Sequence, residues 1–165
     1  MSYTAGQKVR VGDLLPGTIV QGGYGLRTSS STAAAGAQGV MRLDGILLTA
    51  GRRYKIFTNT LVLVSSVAND QVTARISYDV TGANATTASA LLALYNTPAV
   101  DSTANGMGGV VAASYLAAAN VSLSIILWTQ RLVGTGNARL ISAGVGIEMF
   151  VKDMGVDTGD TGVDL

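Results

Sequence analysis

Hydrophobic and polar residues alternate along two stretches near the middle of the chain, which are joined by a short polar loop. Between Gln71 and Val80 every second residue is apolar, the pattern of a β-strand with one buried and one solvated face. The preceding stretch, Tyr54–Val64, ends in a run that is apolar on both faces. A strand covered on both sides has that pattern. Because the loop 65–70 is tight, the sequence predicts that the two strands form a β-hairpin.

Alternation and turn residues predict further strands on either side of this hairpin. They are Gly39–Leu48 with a bulge or turn at Asp44-Gly45, Val121–Val133 followed by a hairpin-type turn at Gly134–Asn137, Ala138–Ala143, and Ile147–Val151. Several strands with Gly-rich turns and little helix are typical of an all-β fold. The sequence predicts one antiparallel β-sandwich or jelly-roll-like domain.

The same patterns divide the chain into three parts. Residues 1–38 lack regular periodicity and are predicted to be an extended arm, and residues 39–154 form the sandwich. Within the sandwich, the Ala/Gly-rich segment 81–120 is predicted to be a long insertion. Two of its pieces, Ala88–Tyr95 as a helical turn or a strand and Gly109–Leu116, are expected to be ordered. Residues 155–165 form an acidic tail.

The low content of charged residues bears on whether this domain stands alone. Charged residues make up only 13% of the 165 residues, about half the usual share. A soluble domain that stands alone usually covers its surface with charge, so the deficit predicts a surface partly covered by other protein. A neutral surface rich in Ser, Thr, Asn and Gly is the alternative. The net charge of +1 does not favour nucleic acid or an anionic membrane as a partner.

The residue types that are missing exclude several kinds of chemistry. The chain has no cysteine and no histidine, which excludes disulfides, thiolate metal sites and Ser/His/Asp or Cys/His catalysis. The first eight residues lack the apolar core of a secretory signal. The most apolar windows, Met107–Ala119 and Val121–Trp128, are shorter than the roughly 18–20 residues of a membrane span. A soluble protein made in the cytoplasm, without a membrane partner, is predicted.

The remaining candidates for chemistry are few. Glu148 is the only glutamate, and no second carboxylate stands at a recognisable glycosidase spacing from it. The aspartates of the acidic tail do not have the spacing of a calcium loop. Trp128 and the tyrosines could line a sugar groove, although strand positions explain Tyr54 and Tyr78 equally well. The sequence therefore predicts no catalytic residue, no cofactor and no metal site.

Residues that could contact other subunits are easier to find. Basic residues near the start and acidic residues near the end could pair between neighbouring copies, although two solvated ends explain them equally well. The apolar segment 81–120 is a candidate subunit contact, or else a cap over one open end of the sheet. The candidate assembly contacts are Lys8, Arg10, Leu14, Leu15, Arg27, Leu91, Leu92, Tyr95, Tyr115, Leu116, Asp157 and Asp160.

Short stretches around the predicted hairpin resemble a known group of proteins. Thr49–Ile56, Ser66–Val72 and Ala74–Ile76 are similar to small β-sandwich virion proteins of tailed phages that infect actinobacteria. The start, Tyr3–Gln7 with Val11–Leu14, and the stretch Phe150–Gly155 are similar to phage tail and accessory structural proteins. These stretches cover about half of the chain, and segment 81–120 departs from the pattern.

The resemblance implies a non-enzymatic structural role in a virion. The leading hypothesis is a capsid decoration (cement) protein, a homotrimer that docks on the phage major capsid protein and is made in the host cytoplasm. A minor tail or tail-fibre component, in contact with tail proteins, is the alternative within the same class. The alternative from a different functional class is a carbohydrate-binding module or glycosidase-like domain that uses Glu148 and Trp128.

Overall fold

The structure, a computed structural model, describes residues 17–97, 106–142 and 146–157. These residues form β-strands and connecting turns. The strands are β1 (Ile19–Arg27), β2 (Gln38–Leu48), β3 (Arg52–Thr58), β4 (Leu61–Ser65), β5 (Gln71–Asp79), β6 (Ala90–Asn96), β7 (Met107–Gly109), β8 (Ala112–Leu116), β9 (Val121–Val133), β10 (Ala138–Ile141) and β11 (Ile147–Val156). Every pairing between them is antiparallel. The predicted all-β antiparallel sandwich is confirmed.

The strands form three sheets that make two layers. Sheet A has the order β1-β11-β3-β8, and sheet B has the order β10-β4-β7. Sheet B continues sheet A past a bend, because β3 leads into β4 across Asn59-Thr60 and β7 leads into β8 across Val110-Val111. Sheet C, with the order β2-β9-β5-β6, forms the second layer. The jelly-roll-like connectivity of these strands stays a prediction.

The core lies between the two layers and follows from alternation along the strands. In β11 and β3 every second side chain is buried, beginning with Ile147 and Tyr54 respectively. Facing them are Val72, Ala74 and Ile76 of β5 and apolar residues of β9. Burying each large aliphatic side chain contributes about 1.5–3 kcal/mol. The buried Tyr54 hydroxyl accepts a hydrogen bond from the Thr49 N–H at 2.8 Å, so it is not left unsatisfied.

The predicted hairpin between Tyr54–Val64 and Gln71–Val80 is wrong. The first stretch is two strands, β3 in sheet A and β4 in sheet B, and neither pairs with β5. The loop 65–70 instead crosses from one layer to the other, and β5 pairs with β9 and β6. Both Leu63 and Val64 are buried, as the two-sided apolar run predicted. Alternation identifies the strands but does not specify their partners.

The turn at Gly134–Asn137 does not close a hairpin either. The strand before it, β9, pairs with β2 and β5, whereas the strand after it, β10, pairs with β4. A hairpin and a crossover between layers both need Gly-rich turns, so turn chemistry alone does not distinguish them. The bulge predicted at Asp44-Gly45 is confirmed by a register shift between β2 and β9.

The prediction of an arm through residue 38 is wrong for residues 19–27, which form β1 and pair with β11. The glycines of this strand suggest a loop, but packing explains Gly23. A Cβ added there would lie 2.6 Å from Val20 Cγ2 and 2.9 Å from the Val151 carbonyl oxygen. The first 16 residues lie outside the described part of the chain.

The structure also differs from two other predicted divisions of the chain, the insertion 81–120 and the tail 155–165. Segment 81–120 is not an insertion, because its strands β6, β7 and β8 are members of sheets C, B and A. Small residues obscure its periodicity. The predicted tail starts later than residue 155, since β11 continues to Val156. Residues 158–165 lie outside the described ranges.

Asp70 links the two crossover loops. Its buried carboxylate accepts hydrogen bonds from the Ser65 hydroxyl at 2.5 Å and from the N–H groups of Gly136 at 2.8 Å and Thr135 at 3.1 Å. The Ser65 hydrogen bond is the main reason that the pKa of Asp70 lies below its ordinary value of 3.8. Burial opposes this shift, but the two N–H groups and the nearby Arg131 charge add to it.

This shift predicts a pH dependence of stability. Because the folded protein lowers the pKa of Asp70, the ionised carboxylate stabilises the fold above about pH 4, and that contribution is lost as the pH falls through the folded pKa. We expect Asp70→Asn to lower Tm most at neutral pH, and the difference in Tm from the wild type to shrink on acidification. Differential scanning calorimetry from pH 7 down to about pH 3 measures this difference. A difference that stays constant over that range would contradict the role of Asp70.

Candidate functional site

Three aromatic side chains form a row across the outer face of sheet A. The strand register places Tyr24 of β1 opposite Phe150 of β11, and Phe150 opposite Phe57 of β3. The neighbours of the two phenylalanines along their strands, such as Val151 and Ile56, are buried in the core. Alternation therefore directs Phe150 and Phe57 away from the core. We call Tyr24, Phe150 and Phe57 the aromatic row.

The rings of the aromatic row contact one another. Phe57 and Phe150 are stacked, with ring centroids 5.0 Å apart and an interplanar angle of 16°, and Tyr24 lies 5.3 Å from Phe150 at 40°. Tyr24 is 47% exposed, and both phenylalanines are half-buried. Apolar surface of this kind, with polar groups around it, is typical of a binding site.

One side of the row has a fixed hydrogen-bonding group, Glu148. The Tyr24 hydroxyl donates to Glu148 Oε1 at 2.9 Å, and Asn59 Nδ2 donates to Glu148 Oε2 at 3.3 Å. Asn59 Oδ1 accepts the Glu148 N–H at 3.0 Å, which fixes the amide as well. The hydrogen bond to the Glu148 carboxylate raises the pKa of Tyr24 above its ordinary value of 10.0. These groups place oxygen acceptors in fixed positions beside the rings.

The other side of the row carries positive charge. Lys152 of β11 lies directly opposite Lys55 of β3, and the Lys55 ammonium is 5.7 Å from the centroid of the Phe57 ring. Beyond Lys55 a shallow groove extends to β8, lined by Arg53, Lys55, Ala112, Ala113, Ser114 and Met154. The outer face of sheet A thus carries the aromatic row with the acidic Glu148 on one side and the basic Lys55 and Lys152 on the other.

Trp128 does not belong to this face. It is 5% exposed and packs with Ile126 and Ala85 on the outer side of sheet C. Its indole N–H donates to Ser77 Oγ at 3.0 Å, and the Arg75 guanidinium lies 5.1 Å from its ring. A carbohydrate site that combines Glu148 with Trp128 is therefore wrong, because the two residues lie on opposite layers of the sandwich.

Several residues predicted as assembly contacts have partners within the fold. Arg27 donates to the carbonyl oxygens of Ser29, Ser30 and Val40 at 3.0, 3.1 and 2.6 Å. Tyr115 packs edge-on against Tyr78 across the two layers, with ring centroids 5.6 Å apart.

Of the other predicted assembly contacts, some have partners within the fold and others are exposed. The Tyr95 hydroxyl donates to the Gly108 carbonyl, and Leu92 packs against the core. Asp157 pairs with Arg53 at 3.1 Å, whereas Leu91 and Leu116 are exposed. The predicted contacts outside the described residues are Lys8, Arg10, Leu14, Leu15 and Asp160. A role of any of these residues in assembly stays a prediction.

Sequence reasoning missed Phe57 and Phe150, and it included Tyr24 only as one of several tyrosines that could line a sugar groove. Alternation in β3 and β11 places Phe57 and Phe150 on the face opposite Ile56 and Val151, which is an available signal for two outward aromatics. Their adjacency depends on the register between strands more than 90 residues apart, which alternation does not specify. Tyr24 lies in a segment that the sequence predicts to be an arm.

The described residues lack two other kinds of functional element. None of them forms a helix that is long and apolar enough to cross a membrane. Within the same ranges, no three acidic side chains are close enough together to hold a metal ion.

Comparisons with known proteins give only distant likenesses. No family model matches the chain, and no curated protein matches its sequence. Among solved structures, the chain is similar to the CBM22-1 and GH10 modules of endo-1,4-β-D-xylanase 10B from Clostridium thermocellum, complexed with xylohexaose. The identity is 14% and the TM-score 0.38, over 89% of this chain and 28% of that one.

A second similar structure is a glycoside hydrolase family 43 arabinoxylan arabinofuranohydrolase from Bacillus subtilis, in complex with cellotetraose. Here the identity is 13% and the TM-score 0.32, over 74% of this chain and 20% of that one. The chain spans less than a third of the length of either protein. These comparisons show no family for the chain.

Proposed function

We propose that this protein is a non-enzymatic carbohydrate-binding domain that holds a glycan against the outer face of sheet A. The observation that supports this proposal is the aromatic row, three rings in register on an exposed face of a hydrogen-bonded sheet. Sugar rings present faces of apolar C–H groups, which pack favourably on the exposed apolar surface of aromatic side chains. Because β-sheet backbone fixes the three side chains, little ordering is needed when a ligand binds.

The groups beside the row complete a carbohydrate site. Both N–H groups of Asn59 Nδ2 donate within the fold, to Glu148 Oε2 and to the Gly146 carbonyl oxygen, so Glu148 and Asn59 offer the remaining acceptor capacity of their oxygens to sugar hydroxyls. Both carboxylate oxygens of Glu148 already accept hydrogen bonds from Tyr24 and Asn59. That arrangement suits a fixed acceptor better than a general acid, which must carry a proton to the leaving group. We therefore propose binding without hydrolysis.

A truncation of the row tests this proposal. We expect Phe150→Ala to weaken glycan binding at least about tenfold, since Phe150 contacts both other rings and its loss divides the apolar strip. Tyr24→Ala, at the more exposed end of the row, is expected to weaken binding less. Affinity electrophoresis against a panel of soluble plant and bacterial polysaccharides finds the ligand, and isothermal titration calorimetry with its oligosaccharides measures Kd.

Leu91→Ala serves as the matched control for these variants. Leu91 is also 47% exposed but lies on β6 in the other layer, so its truncation is expected to leave Kd unchanged. Thermal unfolding of all three variants separates lost binding from lost structure. Wild-type affinity of a folded Phe150→Ala variant would refute the assignment of the row.

A second candidate function is the virion role predicted from the sequence, as a trimeric decoration protein on a phage capsid or as a minor tail component. Strand β6 favours it, since this edge of sheet C carries no charged residue and exposes Leu91 and Leu94. Sheet edges without charge favour pairing with other chains. Light scattering tests self-association: a stable trimer that Leu91→Lys dissociates would support the assembly role, and a monomer at every concentration would contradict it.

A further inference from the structure

We propose that the glycan is acidic and that Lys55 and Lys152 bind its anionic substituents. This inference rests on the proposed function, because it concerns the ligand of the same face. The anionic group is a carboxylate or a sulfate on a sugar ring that packs against the aromatic row.

The first argument is the charge of the lysine pair. Lys152 and Lys55 are directly opposite each other on neighbouring antiparallel strands, an arrangement in which like charges repel and destabilise the sheet. The ion pairs among the described residues are Arg42–Asp44, Arg52–Asp153 and Arg53–Asp157, so neither lysine takes part in one there. An anion bound near this pair would reduce the repulsion between the two positive charges.

The second argument is the position of the pair relative to the row. Lys152 follows Phe150 by two residues and Lys55 precedes Phe57 by two, so both lysines share the outer face and lie on the same side of the row. Two residues along a strand correspond to about 7 Å, a distance that a flexible lysine side chain spans easily. The Lys55 ammonium lies near the Phe57 ring and the Lys152 ammonium lies beside Gly17, so an anionic substituent next to the row would draw on both lysines through their flexible side chains.

The third argument is the asymmetry of the face. Glu148 lies two residues from Phe150 in the opposite direction, and its carboxylate repels anions on that side of the row. A neutral glycan would not distinguish the two sides electrostatically. An acidic one is held in a single orientation, with its anionic groups over the lysines and its hydroxyls near Glu148 and Asn59.

Binding of matched polymers by the full chain tests this inference. We expect polygalacturonate, which carries carboxylates, or a sulfated glycan such as heparin to bind at least about tenfold more tightly at low salt than neutral galactan. The preference is expected to weaken as NaCl is added, because salt screens exposed charges. The carboxylated and sulfated polymers distinguish the two sources of negative charge.

Substitution of the lysines separates this inference from the proposed function. In Lys55→Gln/Lys152→Gln, affinity for the acidic polymer should fall to within about threefold of that for the neutral one, with Tm unchanged or higher. Arg139→Gln on β10 is the charge control and should retain the preference. If wild type binds neutral and acidic polymers equally and Phe150→Ala loses both, this inference fails while the proposed function stands.

Three other results would count against the acidic glycan or its lysine site. A preference for acidic polymers that persists in the double lysine variant would overturn the assignment to Lys55 and Lys152. Binding of single-stranded oligothymidylate as tight as that of the acidic glycan would overturn the glycan as the specific ligand. Failure to bind any polymer would overturn this inference and the proposed function together.

Discussion

Replacing Asp153 with alanine is expected to lower the free energy of unfolding by about 3–5 kcal/mol, because it removes one partner of a buried ion pair. The Asp153 side chain is 2% exposed, and its Oδ2 accepts from Arg52 Nε at 2.8 Å. Its Oδ1 accepts the Gly155 N–H at 2.8 Å. The Asp153 backbone also forms hydrogen bonds with Gly17 and Thr18, which directly precede β1, so the residue connects three segments at one end of sheet A.

The neighbouring arginine provides a matched control for Asp153. Arg53 pairs with Asp157 at 3.1 Å, but there the side chains are 46% and 19% exposed. Exposed pairs contribute about 0–1 kcal/mol, so the loss of this pair in Asp157→Ala is expected to cost less than the loss of the buried pair in Asp153→Ala. Urea unfolding of the two variants, with Asp153→Asn as the milder change, measures the difference. Equal losses for Asp153→Ala and Asp157→Ala would contradict the burial argument.

Gly134→Ala is expected to destabilise the protein by about 2–4 kcal/mol, the second large effect. Gly134 has a φ of +105°, a conformation that side-chain-bearing residues rarely adopt. An added Cβ would also overlap the Asp70 carboxylate, which the Ser65 hydroxyl and two N–H groups hold in place. The substitution therefore combines backbone strain with disruption of the link between the crossover loops.

Two other glycines separate these two effects. Gly82 has a φ of +92° with open space around it, so Gly82→Ala is expected to show strain alone, about 1 kcal/mol. Gly36 has open space and no positive φ, and Gly36→Ala is expected to be neutral within about 0.5 kcal/mol. Chemical denaturation measures the free energy of unfolding of the three variants, which is expected to increase from Gly134→Ala through Gly82→Ala to Gly36→Ala. A Gly134→Ala variant as stable as Gly82→Ala would show that the Asp70 carboxylate moves aside without cost.

The two faces of sheet A carry different kinds of side chains. The inner face supplies Ile147, Met149 and Val151 to the core, and the outer face of the same strand carries Glu148, Phe150 and Lys152. Substitutions on the outer face are therefore expected to have little effect on the core. That separation makes the variants of Phe150, Lys55 and Lys152 informative about ligand binding rather than folding.

The fold class and most of the strands follow from the amino-acid pattern alone. Period-two alternation reports which residues face a core, so it locates β5, β9 and the first half of β11, and it shows that both faces of β4 are covered. The glycines of β1 and the small residues of β6–β8 hide their alternation. The sequence therefore predicts an arm and an insertion where the structure has strands.

Which strands are neighbours, and with that the candidate site, depends on the packing of the whole chain. Alternation along one strand contains no information about its partner, so the crossover loops 65–70 and 134–137 have the sequence pattern of hairpin turns. Tyr24, Phe57 and Phe150 become adjacent only through the register of three strands distant in sequence. The same register sets Lys55 opposite Lys152, because cross-strand pairing brings side chains together irrespective of their separation along the chain.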